Sequence, residues 1–444
     1  MTISGAPRQS SGSEASTARE PSYDFGRREA ELIARFPSGK RVAVRRGRER
    51  AYPGLRSTAP STLAFYQTFA PLLGGKHVLD AGSGSSMGTR VLCDISAHVT
   101  AIDNDVRALE FGREYAPNAE YLQADLCHGT SVDRADAAFL VDVLGHLARP
   151  EAALRALRAC LPVGSQLFVA EPKAYGSQRL LAPACRAFSQ RALTRLLLRS
   201  GFDVEQVLCT GANFVALVAR RAGEPAFEAL TEAIHQAHRG QFRAARAEFS
   251  RAQSSDRVDL KLEALLGQAD AAFAANDGDS AVRCYFEANE LDAKDGRALA
   301  GLSRVALATG EVDDALRLAL ESLDRDPIEA SAHALMALAA EQLSHPDAFN
   351  AWRIAANLAP DDLEVATGLA RVSAARQNFG FAIQVFERLR GYNTALSVDF
   401  HVTLGWLLLA DGRKNDASVE ARYATAIAPE HGAVTELVKA IEAR

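Results

Sequence analysis

The sequence predicts two architectures in series: an α/β unit with a parallel, helix-covered sheet, then an all-α array of paired helices. Between residues 77 and 219, short β-branched runs alternate with helical stretches. Beyond residue 225 the strand-like runs cease, and Ala- and Leu-rich helical stretches recur at a near-constant period. A chain of 444 residues has room for both, each with its own core.

The strand runs in order are HVLDA (77–81), HVTAIDND (98–105), AEYLQAD (119–125), AAFLVDV (137–143), SQLFVAEP (165–172), FDVEQVLC (202–209) and FVALVAR (214–220). Their Val, Ile, Leu and Phe content suits buried strands. The first five are separated by spans long enough for crossover helices, such as VRALEFGREY and PEAALRALRACL, which argues for parallel pairing. The last two follow each other across the short turn CTGAN, predicting an antiparallel pair at one edge. Ligands of such open sheets sit beyond the carboxyl ends of the strands.

The second half carries an internal repeat. DGDSAVRCYFEANELDAKD (277–295), GEVDDALRLALESLDRDP (310–327), HPDAFNAWRIAANLAP (345–360), FGFAIQVFERL (379–389) and KNDASVEARYATAIAP (414–429) align on Ala281, Ala315, Ala348, Ala382 and Ala417, at steps of 34, 33, 34 and 35 residues. RGQFRAARAEFSRA (239–252) is a weaker copy. A small residue there lets antiparallel helices approach, an aromatic or Leu four or five residues on fills the next layer, and Pro327, Pro360 and Pro429 mark helix boundaries. The pattern resembles a tetratricopeptide-repeat array of five or six helix pairs, which implies a stacked solenoid with an extended concave surface.

Composition narrows the function. A formal net charge of -5 gives no overall reason to expect a nucleic-acid partner. The six cysteines form no C-x-x-C pair, which argues against zinc and disulfides and for reduced thiols in a cytoplasmic protein. The lead MTISGAPRQSSGSEASTARE has no apolar core and reads as a disordered tail, and no 18-residue apolar run follows it, so no membrane span is expected.

The stretch HVLDAGSGSSMGTRV (77–91) places a small-residue turn after the first strand. Its glycines, Gly82, Gly84 and Gly88, give G-x-G-x-x-x-G, so the third is misplaced for a dinucleotide fingerprint. Asp80, just before them, would repel a pyrophosphate and suits an ammonium group. AIDND ends the second strand with Asp103, and LQADL ends the third with Asp125.

These motifs, with FLVDVLGHLARPEAALRALRACLPVGSQLFVAEP and RAFSQRALTRLLLRSGFDVEQV in order behind them, resemble the class I S-adenosylmethionine-dependent methyltransferases over residues 77 to 219. The resemblance implies a Rossmann-like seven-stranded methyltransferase sheet and S-adenosyl-L-methionine as cofactor. It implies cofactor binding by Asp80, Gly82, Gly84, Asp103, Asn104, Asp125 and Leu126: Asp80 toward the ammonium, Asp103 toward the ribose hydroxyls, Asp125 toward the adenine amino group. The alternatives for the aspartates are a turn cap at Asp80 and a surface loop at Asp125. Three positions depart from the family pattern: Ser86 replaces a glycine, Gly145 stands where the segment resembling D-V-L-E-H has glutamate, and Pro162-Val163-Gly164-Ser165 replaces Pro-Gly-Gly.

The candidate catalytic groups are His146, whose imidazole suits proton removal near neutral pH, and Asp142 at the end of the fourth strand. His146 could equally cap a helix. Glu171, Lys173 and Tyr175 follow the fifth strand on the same rim and are candidate acceptor contacts. The run KRVAVRRGRER (40–50) carries six basic side chains against Glu49, read either as solvated surface or as an arm receiving an anionic acceptor; Tyr52, Phe65 and Tyr66 would line that pocket or pack in a helix.

The expected organisation is a tail (1–20), a helical and basic cap segment (21–75), a methyltransferase domain (76–222) and a repeat domain (226–444). The expected activity is methyl transfer to a small-molecule or glycan acceptor, with the repeats serving a protein partner or self-association. A protein methyltransferase using the repeats to hold substrate, and a scaffold with a vestigial catalytic domain, are the alternatives.

Overall fold

The computed structural model describes residues 42–44, 48–50, 60–147, 149–172, 188–208, 214–359, 362–392 and 396–443. Lys40, Arg41, Arg45 and Arg46 of the basic run, its tyrosine neighbour Tyr52, and also Lys173 and Tyr175, lie outside these residues; of the run, strands β1 (Val42–Val44) and β2 (Arg48–Arg50) pair antiparallel.

The α/β half is a seven-stranded mixed sheet, Rossmann-like as expected. Its strands are β3 (His77–Ala81), β4 (His98–Asp103), β5 (Glu120–Gln123), β6 (Ala137–Val141), β7 (Gln166–Pro172), β8 (Phe202–Leu208) and β9 (Phe214–Arg221), in spatial order β5-β4-β3-β6-β7-β9-β8. β3 to β7 are parallel neighbours, and β9 runs antiparallel between β7 and β8. The order reverses between β3 and β6, so the crevice of an open sheet lies outside the carboxyl ends of those two strands.

Period-two alternation splits the side chains of the central strands between two cores. Leu79, Ala138, Leu140, Leu167 and Val169 pack with Leu154 and Leu157 of α4 (Pro150–Cys160) and Leu193, Leu196 and Leu197 of α5 (Gln190–Arg199). Val78, Phe139 and Phe168 face the other way, against α1 (Pro60–Phe69) and α2 (Met87–Cys93). There Tyr66 stacks on Phe139 at 4.9 Å between centroids and Phe139 on Phe168 at 4.6 Å. Phe65 and Tyr66 are thus buried core residues rather than the pocket lining weighed from the sequence. Helix α3 (Val106–Tyr115) follows β4.

From residue 225 the chain is a long run of helices: α6 (Pro225–His238), α7 (Phe242–Ala252), α8 (Val258–Ala274), α9 (Gly278–Leu291), α10 (Arg297–Thr309), α11 (Val312–Arg325), α12 (Ala330–Gln342), α13 (Ala348–Leu358), α14 (Leu363–Ala375), α15 (Phe379–Tyr392), α16 (Val398–Ala410), α17 (Lys414–Ile427) and α18 (Gly432–Glu442). Consecutive helices pack on each other, and first members of neighbouring pairs also touch, as α8 does α10.

The aligned alanines Ala281, Ala315, Ala348, Ala382 and Ala417 are all buried, each on the second helix of a pair. A complementary signal was missed. Four residues beyond Ala245 of the weaker copy, Ala281 and Ala348, the rings of Phe249, Tyr285 and Trp352 fill space left by Gly267, Gly301 and Gly368 on the following helix, where an added Cβ would lie 2.2 to 2.4 Å from the ring. Where the second helix carries Ala319 instead, Leu335 stands on the following helix in the same small cluster, so the bulk changes sides.

The halves meet over a shared cluster in which Leu198 and Ala222 pack with Phe227 and Leu230. Among the described residues no helix is long and apolar enough to cross a membrane.

Candidate functional site

The turn after β3 is built by hydrogen bonds to the neighbouring strand. The Gly82 and Ser83 amides donate to the Ile102 carbonyl at 2.7 and 2.9 Å, and the Gly84 amide donates to Asp103 Oδ2 at 2.9 Å. Gly82 has φ +81°, and a Cβ there would sit 2.4 Å from Val143 Cγ2, so the loops after β3 and β6 touch. Gly84 has φ +51° and open space beside it, which leaves backbone accessible to a ligand. Ser86, where the family pattern has glycine, adopts the left-handed φ of 60° at the start of α2.

Asp80 lies beneath this turn and not on it. Strand parity sets it on the Val78 face, where it is 1% exposed and accepts from Tyr66 Oη at 2.7 Å and Thr89 Oγ1 at 2.5 Å. Burial raises its pKa although both hydroxyls oppose the shift, and burial together with the Asp80 charge raises that of Tyr66 well above normal. Both Asp80 carboxylate oxygens thus accept buried hydrogen bonds that support the turn. Gly88, out of place for a dinucleotide fingerprint, is what admits Tyr66: a Cβ there would be 2.1 Å from the ring.

Asp103 closes β4 with its carboxylate on the turn. Oδ2 accepts from Gly84 and Oδ1 from the Asp105 amide at 2.9 Å, so the group that ties the turn also stands at its edge. Asn104 beside it is exposed. Asp125 caps the short 3-10 turn Leu126–His128, accepting from the Cys127 amide at 2.9 Å, with His128 Nδ1 at 3.0 Å from its other oxygen. Its side chain is 38% exposed, whereas Leu126 is buried. Both aspartates therefore act as local caps while bordering the same edge.

After β6 the chain turns sharply. Asp142 has φ +57°, an unusual conformation for a residue with a side chain, and its amide donates to the Ala170 carbonyl at 2.8 Å. His146 Nε2 stands 3.6 Å from Asp142 Oδ1, with both side chains partly exposed. The two candidate catalytic residues are thus brought together one turn apart.

Glu171 holds that turn. Fully buried, it accepts from the Val143 and Leu144 amides at 2.9 and 2.7 Å through Oε1 and from the Gly145 amide at 3.1 Å through Oε2. Burial and the nearby Asp142 charge push its pKa up to about 7 against these three donors. The acceptor contact considered for Glu171 is replaced by a scaffolding role, which sequence position alone did not reveal.

The groups along this edge, Asp103, Asn104, Asp125 and Asp142, are chiefly hydrogen-bond acceptors. Such a set fits a ligand bearing hydroxyl, amino and cationic groups better than one bearing phosphates.

Residues 55–207 match the family model described as "Methyltransferase domain". Similar solved structures include an S-adenosylmethionine-dependent methyltransferase from Aquifex aeolicus (20% identity, TM-score 0.33, covering 37% of this chain and 94% of that one). Another from Mesorhizobium loti is 17% identical, with a TM-score of 0.33 and coverage of 38% and 100%. A DhpI–SAH complex is 23% identical, with a TM-score of 0.31 and coverage of 37% and 97%. No curated protein matches the chain.

Proposed function

We propose that the chain is an S-adenosylmethionine-dependent methyltransferase acting on an anionic small-molecule or glycan acceptor. The observation that carries the reading is the Gly84–Asp103 hydrogen bond, which ties the turn after β3, a strand bordering the reversal of strand order, to the end of β4. It joins an open glycine turn to a carboxylate at the sheet edge, within the stretch matched by the methyltransferase-domain model.

S-adenosylmethionine, when bound, supplies an electrophilic methyl group on a sulfonium. Gly82 and Gly84 would let backbone approach it, Asp103 and Asn104 would accept from its hydroxyls, and Asp125 with Leu126 would border its base. Asp80 enters as a positioning residue. The demand on the protein is alignment and exclusion of water. His146, with its Nε2 toward Asp142, would take the acceptor's proton at Nδ1 where the acceptor must lose one. The anionic acceptor class is supported by the arginines of residues 40–50, whose planar forks suit carboxylate or phosphate.

The helix array is read as tetratricopeptide-repeat-like, with a protein partner or a second copy as its further ligand, and the protein as cytoplasmic. The test is calorimetry with S-adenosylmethionine and with NAD, followed by S-adenosylhomocysteine production from cell metabolites and, separately, from cell protein. Binding of the first cofactor alone and turnover on metabolites support the reading. Turnover confined to protein would instead assign the array to substrate capture, and NAD binding would remove the methyltransferase assignment.

A further inference from the structure

Helix α5 makes contacts on two faces. Leu193, Leu196 and Leu197 enter the core of the sheet, while Arg191, Arg195 and Arg199, spaced one turn apart, all reach the helix array. Arg195 Nη2 lies 3.0 Å from Asp295 Oδ2, and its Nη1 lies 3.8 Å from Asp326 and 3.6 Å from Glu329. Arg199 stands 3.4 Å from Glu263, and Arg191 donates to the Lys294 carbonyl at 3.4 Å.

The receiving notch is formed by the start of α8 and the amino-terminal ends of α10 and α12. Glu263 and Asp295 share Arg297 from the array itself, at 2.5 and 2.8 Å. Among the described residues, Asp326 and Glu329 find their cation within 4 Å only in Arg195. Burial works against the Glu263 and Asp295 carboxylates, but their arginines outweigh it and hold both pKa values below normal. The notch is therefore an acidic receptor, four carboxylates around one arginine of its own, and α5 brings it Arg195 and Arg199. Removing one partner of such a buried set leaves uncompensated charge in place.

The same helix leads back to the candidate site. Ser189 caps α5 through its bond to the Ala192 amide, and the Phe188 amide donates to the Pro172 carbonyl at 3.1 Å. Pro172 follows Glu171, the residue that holds amides 143 to 145 beside His146.

We infer that the helix array is an intramolecular brace: its acidic notch grips the arginine face of α5 and thereby fixes the turn of Asp142 to His146. The inference does not depend on which reaction the site performs. It also gives the array a task within the chain, separate from any outside partner.

Amide hydrogen exchange on the full chain tests this in wild type, Arg195→Glu and the control Arg317→Glu, which breaks an exposed pair with Asp314 and Glu321. Exchange at least tenfold faster in both 190–199 and 143–146 for Arg195→Glu, with wild-type rates in the control, is expected. Wild-type rates in either stretch would overturn the brace. If Arg195→Glu does not fold, Arg195→Met, which removes the charge and keeps the bulk, is read by the same criterion.

Discussion

Tyr66 reaches Asp80 because residue 88 has no side chain. The hydroxyl donates to Oδ1 at 2.7 Å, and the ring occupies the space that a Cβ on Gly88 would need. The turn that faces the candidate cofactor site is thus supported from a helix more than ten residues upstream of it.

Gly88→Ala should destabilise the α/β half by about 1–3 kcal/mol, the range for overpacking a filled core. Tyr66→Phe keeps the stack on Phe139 and deletes one donor to a buried carboxylate, costing about 1–3 kcal/mol. Urea denaturation of both variants measures this; wild-type midpoints in both would show that Tyr66 does not support the turn.

The strand runs and the order of motifs were legible because periodicity is local: VRALEFGREY forms α3 over its full length, and the paired final runs emerged as β8 and β9. The orientation of Asp80 was open to the same rule, since parity with Val78 already places it under α1 and α2. The partners of Glu171 and Arg195 were not legible. Each meets groups brought in from 26 to 28 residues away, or about 100 in the case of Arg195 and Asp295, which no local pattern encodes. Glycine inside a helix is unfavourable by itself, and only Tyr285 and Trp352 opposite them account for Gly301 and Gly368.

Gly368→Ala should cost about 1–3 kcal/mol, because the new methyl would lie 2.4 Å from the Trp352 indole. Trp352→Phe in the same chain should recover part of that loss by returning volume. A thermal melt of the two variants decides it, and additive losses in the double variant would rule out the ring-to-glycine fit.

Asp103→Ala should weaken S-adenosylmethionine binding by about 1.5–3 kcal/mol, the loss of bonds to a charged acceptor, and loosen the Gly84 amide as well. Calorimetry reads the affinity. An unchanged value would place the cofactor elsewhere on the sheet.

Glu171 predicts a pH dependence of known sign. Its carboxyl has a pKa of about 7 when folded and an ordinary value near 4.5 otherwise, so the folded chain holds one proton more than the unfolded chain between those limits. Stability from this group is therefore full below about pH 4.5 and is lost as pH rises toward 7, by roughly 3 kcal/mol for a shift of that size. Glu171→Gln cannot ionise, and its amide nitrogen would meet the Gly145 N–H without accepting. Urea denaturation at pH 5, 6 and 7 should show wild type losing stability relative to this variant across the series. Parallel curves would remove the buried acid as the cause.

The last prediction separates base from scaffold at the turn after β6. His146 and Asp142 lie 3.6 Å apart on the open side of that turn, and Glu171 holds its backbone from the buried side. A general base is required only when the acceptor must lose a proton, and its removal then lowers turnover about 100-fold or more. His146→Ala should accordingly reduce kcat on the responding metabolite pool with cofactor affinity intact, and Asp142→Asn should give a smaller loss because the imidazole stays but its carboxylate partner is neutral. The pH profile distinguishes the two: in wild type kcat should rise with pH on a single acid limb, and in His146→Ala that limb should vanish. A wild-type limb retained in His146→Ala would show that the histidine only shapes the turn, leaving alignment of acceptor and methyl group as the whole of the chemistry at this site.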